Sequence, residues 1–251
     1  MIPRVDRVNG GPIEAVFFDF AGTLFSDRAL RDVHLHQLRF VADAARVDAS
    51  DDALRAAYRE GLGEAYRAVA ARPAYAHRAL FGAAFVAMAD ALGGHIDEAI
   101  AQQAVDRQYR ATAEAATLRP RCLTTLATLR RASIHVQIVS NIDDEQLVPM
   151  LDRLGLNVAA DAVTSSEQAA SCKPDPTIYR MALAKAGIAA ASGLFVGDSL
   201  RHDVVGPASI GMRTAWFAPE PGADPGGARP DVVIHALDQV LDVVGVRVVG
   251  R

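Results

Sequence analysis

The stretch Phe17-Phe18-Asp19-Phe20-Ala21-Gly22-Thr23-Leu24 decides the fold. The run Ile13 to Phe18 reads as a buried strand, and it ends on a carboxylate followed by a Gly-Thr turn. Ligands in parallel sheets bind at the carboxyl ends of the strands. Asp19 is therefore placed like a nucleophile or a metal ligand, not like a stray surface acid.

Downstream the pattern changes. From about Asp27 to Ala116 almost everything reads as helix, rich in Ala and Arg. Leu30, His34, Leu38, Val41 and Ala45 share one helical face; Ser50 caps a second helix carrying Leu54, Tyr58, Leu62, Ala65 and Val69. Arg72-Pro73 breaks that helix. A third shows Phe81, Phe85, Met88 and Leu92 and stops at Gly93-Gly94, and a fourth runs from about Asp97 through Ile100, Val105 and Tyr109. This predicts a four-helix bundle inserted once after the first strand. From Leu118 strands and helices alternate: helix 123–131, strand His135–Val139, a helix stopping at Gly155, a strand near Ala162–Thr164, a helix capped by Asp175-Pro176, strand Leu194–Val196, a helix near Asp203–Ile210, and strands Thr214–Phe217 and Val232–Ile234 around the loop Pro219–Pro230. Such alternation predicts an α/β fold with a mainly parallel, doubly wound sheet. Residues 1–12 read as a polar leader.

Composition narrows the function. With 251 residues, 51% hydrophobic and 22% charged, the chain has the make-up of a globular protein with a sizeable core. A net charge of −4 offers no basic footprint for nucleic acid. No apolar run reaches the ~20 residues of a membrane span, and a signal-peptide core is missing, so a cytoplasmic protein is expected. Cys122 and Cys172 are too few for a disulfide framework or a zinc site and are expected as buried thiols. Lys173 and Lys185 are the only lysines, which makes their positions informative.

Four stretches place polar residues just after an apolar run: Asp19 to Thr23, Ser140-Asn141, Lys173-Pro174, and Gly197-Asp198-Ser199 with Asp203. Singly, each reads as a turn or a helix cap. Together, two carboxylates, a hydroxyl and an ammonium at successive strand ends suit a magnesium–phosphate site. Asp19 and Asp198 supply hard oxygen ligands, while Lys173, Ser140 and nearby backbone N–H groups hold phosphoryl oxygens. A carboxylate facing phosphorus can attack in line to give an aspartyl-phosphate.

In their order and neighbouring patterns the four stretches resemble the four signatures of the haloacid dehalogenase superfamily, with Asp19-Phe20-Ala21-Gly22-Thr23 standing where Asp-x-Asp-x-Thr is usual. The resemblance runs from Ile13 onward. It implies a Rossmann-like core (1–26 and 117–251), a helical cap (27–116) with hinges near Leu24–Arg28 and Ala115–Pro120, and Mg2+ as cofactor. By the same resemblance Asp19 is nucleophile and ligand, with the Ala21 backbone carbonyl and Asp198 as further ligands. Asp203 orients metal-bound water, and Gly22, Thr23, Ser140, Asn141 and Lys173 hold the phosphate, Lys173 also serving catalysis.

Ala21 is the departure. In family phosphatases an Asp there protonates the leaving group and later activates water, help worth 10²–10⁴-fold, or about 3–5 kcal/mol. Several readings stay open. A retired phosphatase would still bind phosphate. A phosphonoacetaldehyde hydrolase, whose family also carries Ala there, needs a cap lysine for its Schiff base, and residues 27–116 contain none. Haloacid dehalogenases usually carry Tyr at that place, use no metal and lack the Gly197-Asp198…Asp203 pattern. Cap residues are a further source of the proton or of substrate contact: His34, His36 and His77, with Arg28, Arg31, Arg72 and Arg78 for substrate charge. Of these, His77-Arg78 in the joint Ala71–Ala79 is preferred because loops carry specificity. A good leaving group, or a phosphotransferase or sensor role, would also tolerate Ala21. The expectation is a magnesium-dependent phosphatase of a small phosphorylated metabolite, without nucleic-acid or membrane partners, monomeric or homodimeric.

Overall fold

The computed structural model describes residues 11–26, 30–156, 159, 162–218, 220 and 222–246. In chain order the elements are β1 (Ala15–Phe18), β2 (Phe25–Ser26), α1 (Leu30–Ala45), α2 (Asp51–Val69), α3 (His77–Ala91), α4 (Glu98–Ala115), β3 (Thr117–Leu118), α5 (Cys122–Arg131) and β4 (His135–Ser140). There follow α6 (Asp144–Arg153), β5 (Val163–Ser165), α7 (Ser166–Ala169), α8 (Pro176–Ala186), β6 (Gly193–Gly197), a π-helical turn Leu200–Val205, α9 (Gly206–Ala208), β7 (Arg213–Phe217), β8 (Val232–Ile234) and α10 (Gln239–Val243).

Six strands form one parallel sheet in the order β5-β4-β1-β6-β7-β8, the doubly wound α/β core that the alternation predicts. The chain builds outward from β1 to β5, then crosses back to β6 and builds the other half. The reversal places a crevice at the carboxyl end of β1. Phe18 is in register with Ile138 and with Val196, so Asp19 leaves the sheet level with the ends of β4 and β6. Phe17, Phe18 and Phe195 are fully buried, each worth roughly 1.5–3 kcal/mol of apolar transfer, and they fix this central register. Tyr179, Ile178 and Leu183 of α8 cover one face of the sheet.

The second compact unit comprises 27–116 together with 142–154, the first being the remainder. Its core gathers Leu38 and Val41 from α1, Leu54 and Tyr58 from α2, Phe85 and Met88 from α3, and Val105 and Tyr109 from α4. Local chemistry sets the helix ends, with Ser50, Asp175 and Gly93 where the sequence predicts them and Asp97 as a further cap. Ser50 Oγ accepts from the Ala53 amide (3.3 Å), Asp97 from Ile100 (2.9 Å) and Asp175 from Thr177 (2.9 Å), and Gly93 turns the chain at φ +82°.

Several elements differ from expectation. Helix α3 begins at His77, so His77 and Arg78 belong to its first turn and not to the joint. Helix α6 packs with the helical unit, against α4, although its sequence follows a core strand. The expected helix 203–210 divides into the π-helical turn and α9. A two-stranded antiparallel ribbon of β2 and β3, too short for any periodicity, joins Phe25 to Leu118. The expected leader lies mostly, and Arg28, Pro219 and Pro221 lie wholly, outside the described residues. No helix among the described residues is long and apolar enough to cross a membrane.

Candidate active site

The carboxyl ends of β1, β6 and the segment after α7 bring four charged side chains together. Lys173 Nζ lies 2.7 Å from Asp19 Oδ1 and 2.7 Å from Asp203 Oδ1. All three groups are buried. The Thr23 hydroxyl stands 3.1 Å from Asp19 Oδ2 and 3.3 Å from Asp198 Oδ1, linking the two carboxylates. Asp203 spends its second oxygen on the Ser199 amide (2.9 Å). Asp198 is the member open to solvent. Oxygens of Asp19, Asp198 and Asp203 all lie within 4.8 Å of one another.

Two glycines make this approach possible. Gly22 sits at φ +84°, and a Cβ there would stand 2.6 Å from Asp198 Oδ2. At Gly197 a Cβ would collide with the Asp203 carboxyl group, 2.3 Å from its Cγ.

The electrostatics follow from crowding. Desolvation on its inner side, then the Asp19 charge, push Asp198 up to about 6; Lys173 and Thr23 oppose the shift. Burial raises Asp203 as well, against the pull of Lys173. For Lys173 burial acts downward, but Asp19 and Asp203 outweigh it and hold the ammonium above its ordinary range. His202, in the π-helical turn between the two acids, is pushed down to about 4 by burial and by Lys173 and Arg201.

Three carboxylates against one ammonium leave an excess of two negative charges, with the donors all hard oxygens. That set fits Mg2+, whose preferred ligands are carboxylates and water. Asp198 faces solvent, and each Asp19 oxygen accepts one bond, from Lys173 or Thr23, and keeps a lone pair for a cation. Asp203 lies deepest, its oxygens on Lys173 and Ser199.

Of the other predicted residues, Ser140 is buried at the end of β4, opposite Ser165. Asn141 clamps the Lys173 main chain. Its amide donates to the Lys173 carbonyl (2.9 Å), and its Oδ1 accepts from the Lys173 N–H (2.6 Å). Ala21 is exposed and bridges Phe25. In the helical unit, His34 is half-buried, edge-on to the Tyr58 ring at 4.6 Å, and burial lowers its pKa. His36 and Arg72 are exposed. The Arg31 side chain lies outside the described residues.

His77 and Arg78 are committed elsewhere. Asp143 takes the amides of His77 (2.9 Å) and Arg78 (2.7 Å), capping α3 from a distant part of the chain, and the His77 ring and Tyr109 hydroxyl approach the same carboxylate. Arg78 pairs with Glu145 and Asp106 and lies over the Tyr109 ring. Their polar groups knit the helical unit together, which removes the loop-based reason for preferring them as substrate contacts.

Sequence reasoning missed a supporting layer. Trp216 Nε1 donates to the Asp198 carbonyl (2.9 Å), the Tyr179 hydroxyl donates to the His202 carbonyl, and Arg119 forks onto the Gly22 carbonyl while stacked on Phe217. Nothing local distinguishes Arg119 from the many other arginines; Trp216, the single Trp at a predicted strand end, was the readable signal.

Comparison with known proteins identifies the family. The sequence model of the haloacid dehalogenase-like hydrolases matches residues 13–211, and the chain belongs to that family. A ribulose-1,5-bisphosphate 5-phosphatase from Halopiger xanaduensis is 29% identical over 119 residues, covering 47% of this chain and 50% of the relative. The chain spans about half the length of the curated relatives it matches. Among solved structures, the HAD-hydrolase YfnB from Bacillus subtilis, described as bound to magnesium, superposes with a TM-score of 0.74 at 19% identity, covering 93% of this chain and 99% of its own. The L-2-haloacid dehalogenase from Xanthobacter autotrophicus, with chloropropionic acid covalently bound, gives 0.70 at 21% identity, over 93% and 98%. At these identities the structural likeness shows the fold alone.

Proposed function

We propose that the chain is a magnesium-dependent phosphatase of a small phosphorylated metabolite, working through an aspartyl-phosphate on Asp19. The observation that carries this reading is the Asp19–Thr23–Asp198 contact. It holds two carboxylates side by side beside a buried Lys173, an arrangement with a surplus of negative charge that a divalent cation would balance. Asp19, Asp198 and the Ala21 carbonyl would hold Mg2+, with Asp203 behind them. When bound, the ion would neutralise charge on the phosphoryl oxygens.

Lys173 and Thr23 each take one Asp19 oxygen and so fix the carboxylate for in-line attack. An Asp19 oxygen bonds to phosphorus as the bond to the leaving oxygen breaks. That oxygen takes its proton from water or from the substrate's own hydroxyl, because Ala21 carries none. Water then cleaves the acyl-phosphate, releasing phosphate and restoring Asp19. Lys173, with Ser140, Gly22 and Thr23, stabilises the phosphoryl oxygens, and Asn141 serves by holding Lys173 in place. Arg28, Arg31, His36 and Arg72 stay candidates for contact with the remainder of the substrate.

Phosphate release from p-nitrophenyl phosphate and a metabolite panel, with and without Mg2+, tests the reading. Activity without Mg2+, or chloride release from 2-chloropropionate, would overturn it. Ala21 favours a second reading, a phosphate-binding protein with little turnover. Tight, Mg2+-dependent phosphate binding without catalysis would establish that instead.

A further inference from the structure

The two residues that separate Phe20 from Thr23 bring no side-chain restraint to the nucleophile loop, whose backbone is tied back to Leu24 and Phe25. Ala21 has no polar side chain, and Gly22, in the left-handed region, is the residue freest to rotate. Yet Gly22 must stay packed against Asp198. Among the described residues one side chain bonds the backbone of 20–22, and it is Arg119. Its Nε and Nη2 converge on the Gly22 carbonyl at 3.0 and 2.6 Å, and its own amide donates to Leu24 at 2.9 Å. The guanidinium lies 4.7 Å from the centre of the Phe217 ring, which limits its swing. A trans peptide points its carbonyl and N–H in opposite directions. Pinning the Gly22 carbonyl therefore aims the Thr23 amide and carries the Thr23 hydroxyl to its place between Asp19 and Asp198.

We infer that Arg119 is a positioning residue for the phosphoryl-transfer site, supplying from the chain leaving the helical unit the restraint that Ala21 and Gly22 lack. This rests on the phosphatase reading for its kinetic consequence, but not for its structural one. The fork, two parallel donors on one acceptor, is what the role needs, and a lysine cannot reproduce it.

The test compares wild type with Arg119→Met and Arg119→Lys. Three quantities are read: the Mg2+ concentration giving half the maximal rise in melting temperature, hydrogen exchange of a peptide spanning 17–26, and kcat and KM on p-nitrophenyl phosphate. Arg119→Met should raise the Mg2+ midpoint and lower kcat by about 10- to 100-fold, the usual cost of losing an outer support of a metal site. KM should stay within about threefold, because the fork touches no substrate group. Exchange should quicken, and Arg119→Lys should recover part of the loss. An unchanged Mg2+ midpoint and kcat in Arg119→Met would overturn the inference, as would wild-type values in Arg119→Lys, which would mean that charge and length suffice without the fork. If Arg119→Met does not fold, Arg119→Lys decides by the same two readouts. If wild type binds Mg2+ without releasing phosphate, the phosphatase reading fails while the midpoint still judges Arg119. If wild type shows no Mg2+ effect, unchanged exchange in the variants overturns the inference.

Discussion

The molecule holds two clusters of charge, each around a buried carboxylate, and they are built on different plans. At the edge of the sheet, Asp19, Asp198 and Asp203 face a single ammonium, Lys173, and Asp198 stays open to solvent. In the helical unit, Asp143, Glu145 and Asp106 meet Arg78, His77, the Tyr109 hydroxyl and two helix amides. Each cluster sets three carboxylates against few cations. In the helical unit Asp106 and Glu145 reach solvent, and the buried Asp143 is met by two amides, the His77 ring and the Tyr109 hydroxyl. At the sheet edge, by contrast, Asp19 and Asp203 are both buried and share one ammonium. Unbalanced burial is costly unless something else supplies the balance. It therefore marks the sheet edge as the place for a ligand and the helical cluster as a fastening.

The sharpest way to break this contrast is at Asp19, the proposed nucleophile. Asp19→Asn should abolish phosphate release, by about 10⁴-fold or more, with the fold intact by circular dichroism. Residual activity within tenfold of wild type would return the sheet-edge cluster to a structural role. Restoring the acid should act in the other direction. Ala21→Asp is expected to raise turnover of alkyl phosphomonoesters by about 10²–10⁴-fold, and p-nitrophenyl phosphate much less, since its leaving group needs little protonation. A loss on both substrates would mean a site shaped around Ala21.

Stability separates the clusters next. Lys173→Met strands two buried carboxylates and should cost about 3–5 kcal/mol by denaturant unfolding without metal, together with turnover. Asp143→Asn should cost about 1–3 kcal/mol through the cap of α3, yet leave kcat per folded molecule within about threefold. A kcat collapse in Asp143→Asn would merge the two regions functionally.

The smallest effect is one of pH. Burial acts to raise Asp143, but hydrogen bonds from His77 and from the amides of Arg78 and His77 hold it below the ordinary carboxylate range. A carboxyl group depressed in the folded state gives stability that is present above its unfolded pKa and lost as pH falls through the folded one. The stability gap between wild type and Asp143→Asn should thus be level near neutrality and shrink below about pH 4. A gap that widens on acidification would reverse the assignment.

What was legible in the sequence had local causes. Asp19 was readable because a strand ran into it, and Ser50 and Asp175 because a capping residue stands beside the helix it caps. The convergence of Asp19, Lys173 and Asp198 was readable from one rule about parallel sheets. The pairing of Asp143 with the α3 amides, and of Arg119 with Gly22, was not. Those partners lie far apart in the chain, and no periodicity joins them. Asn141 shows the middle case: its place beside the site was foreseeable, while its use as a clamp on Lys173 depends on a loop shape that sequence does not disclose.

The position of β1 at the centre of the sheet has a consequence for how the protein is made. Ala15–Phe18 leaves the ribosome before its neighbours His135–Ile138 and Gly193–Val196, which come only after the whole helical block. At about 5–20 residues per second, that apolar strand waits on the order of ten seconds without a partner. The helical block, whose contacts are local, can close on itself meanwhile. The nascent strand that leads into Asp19 waits longest for its surroundings, and it is the segment a chaperone would meet.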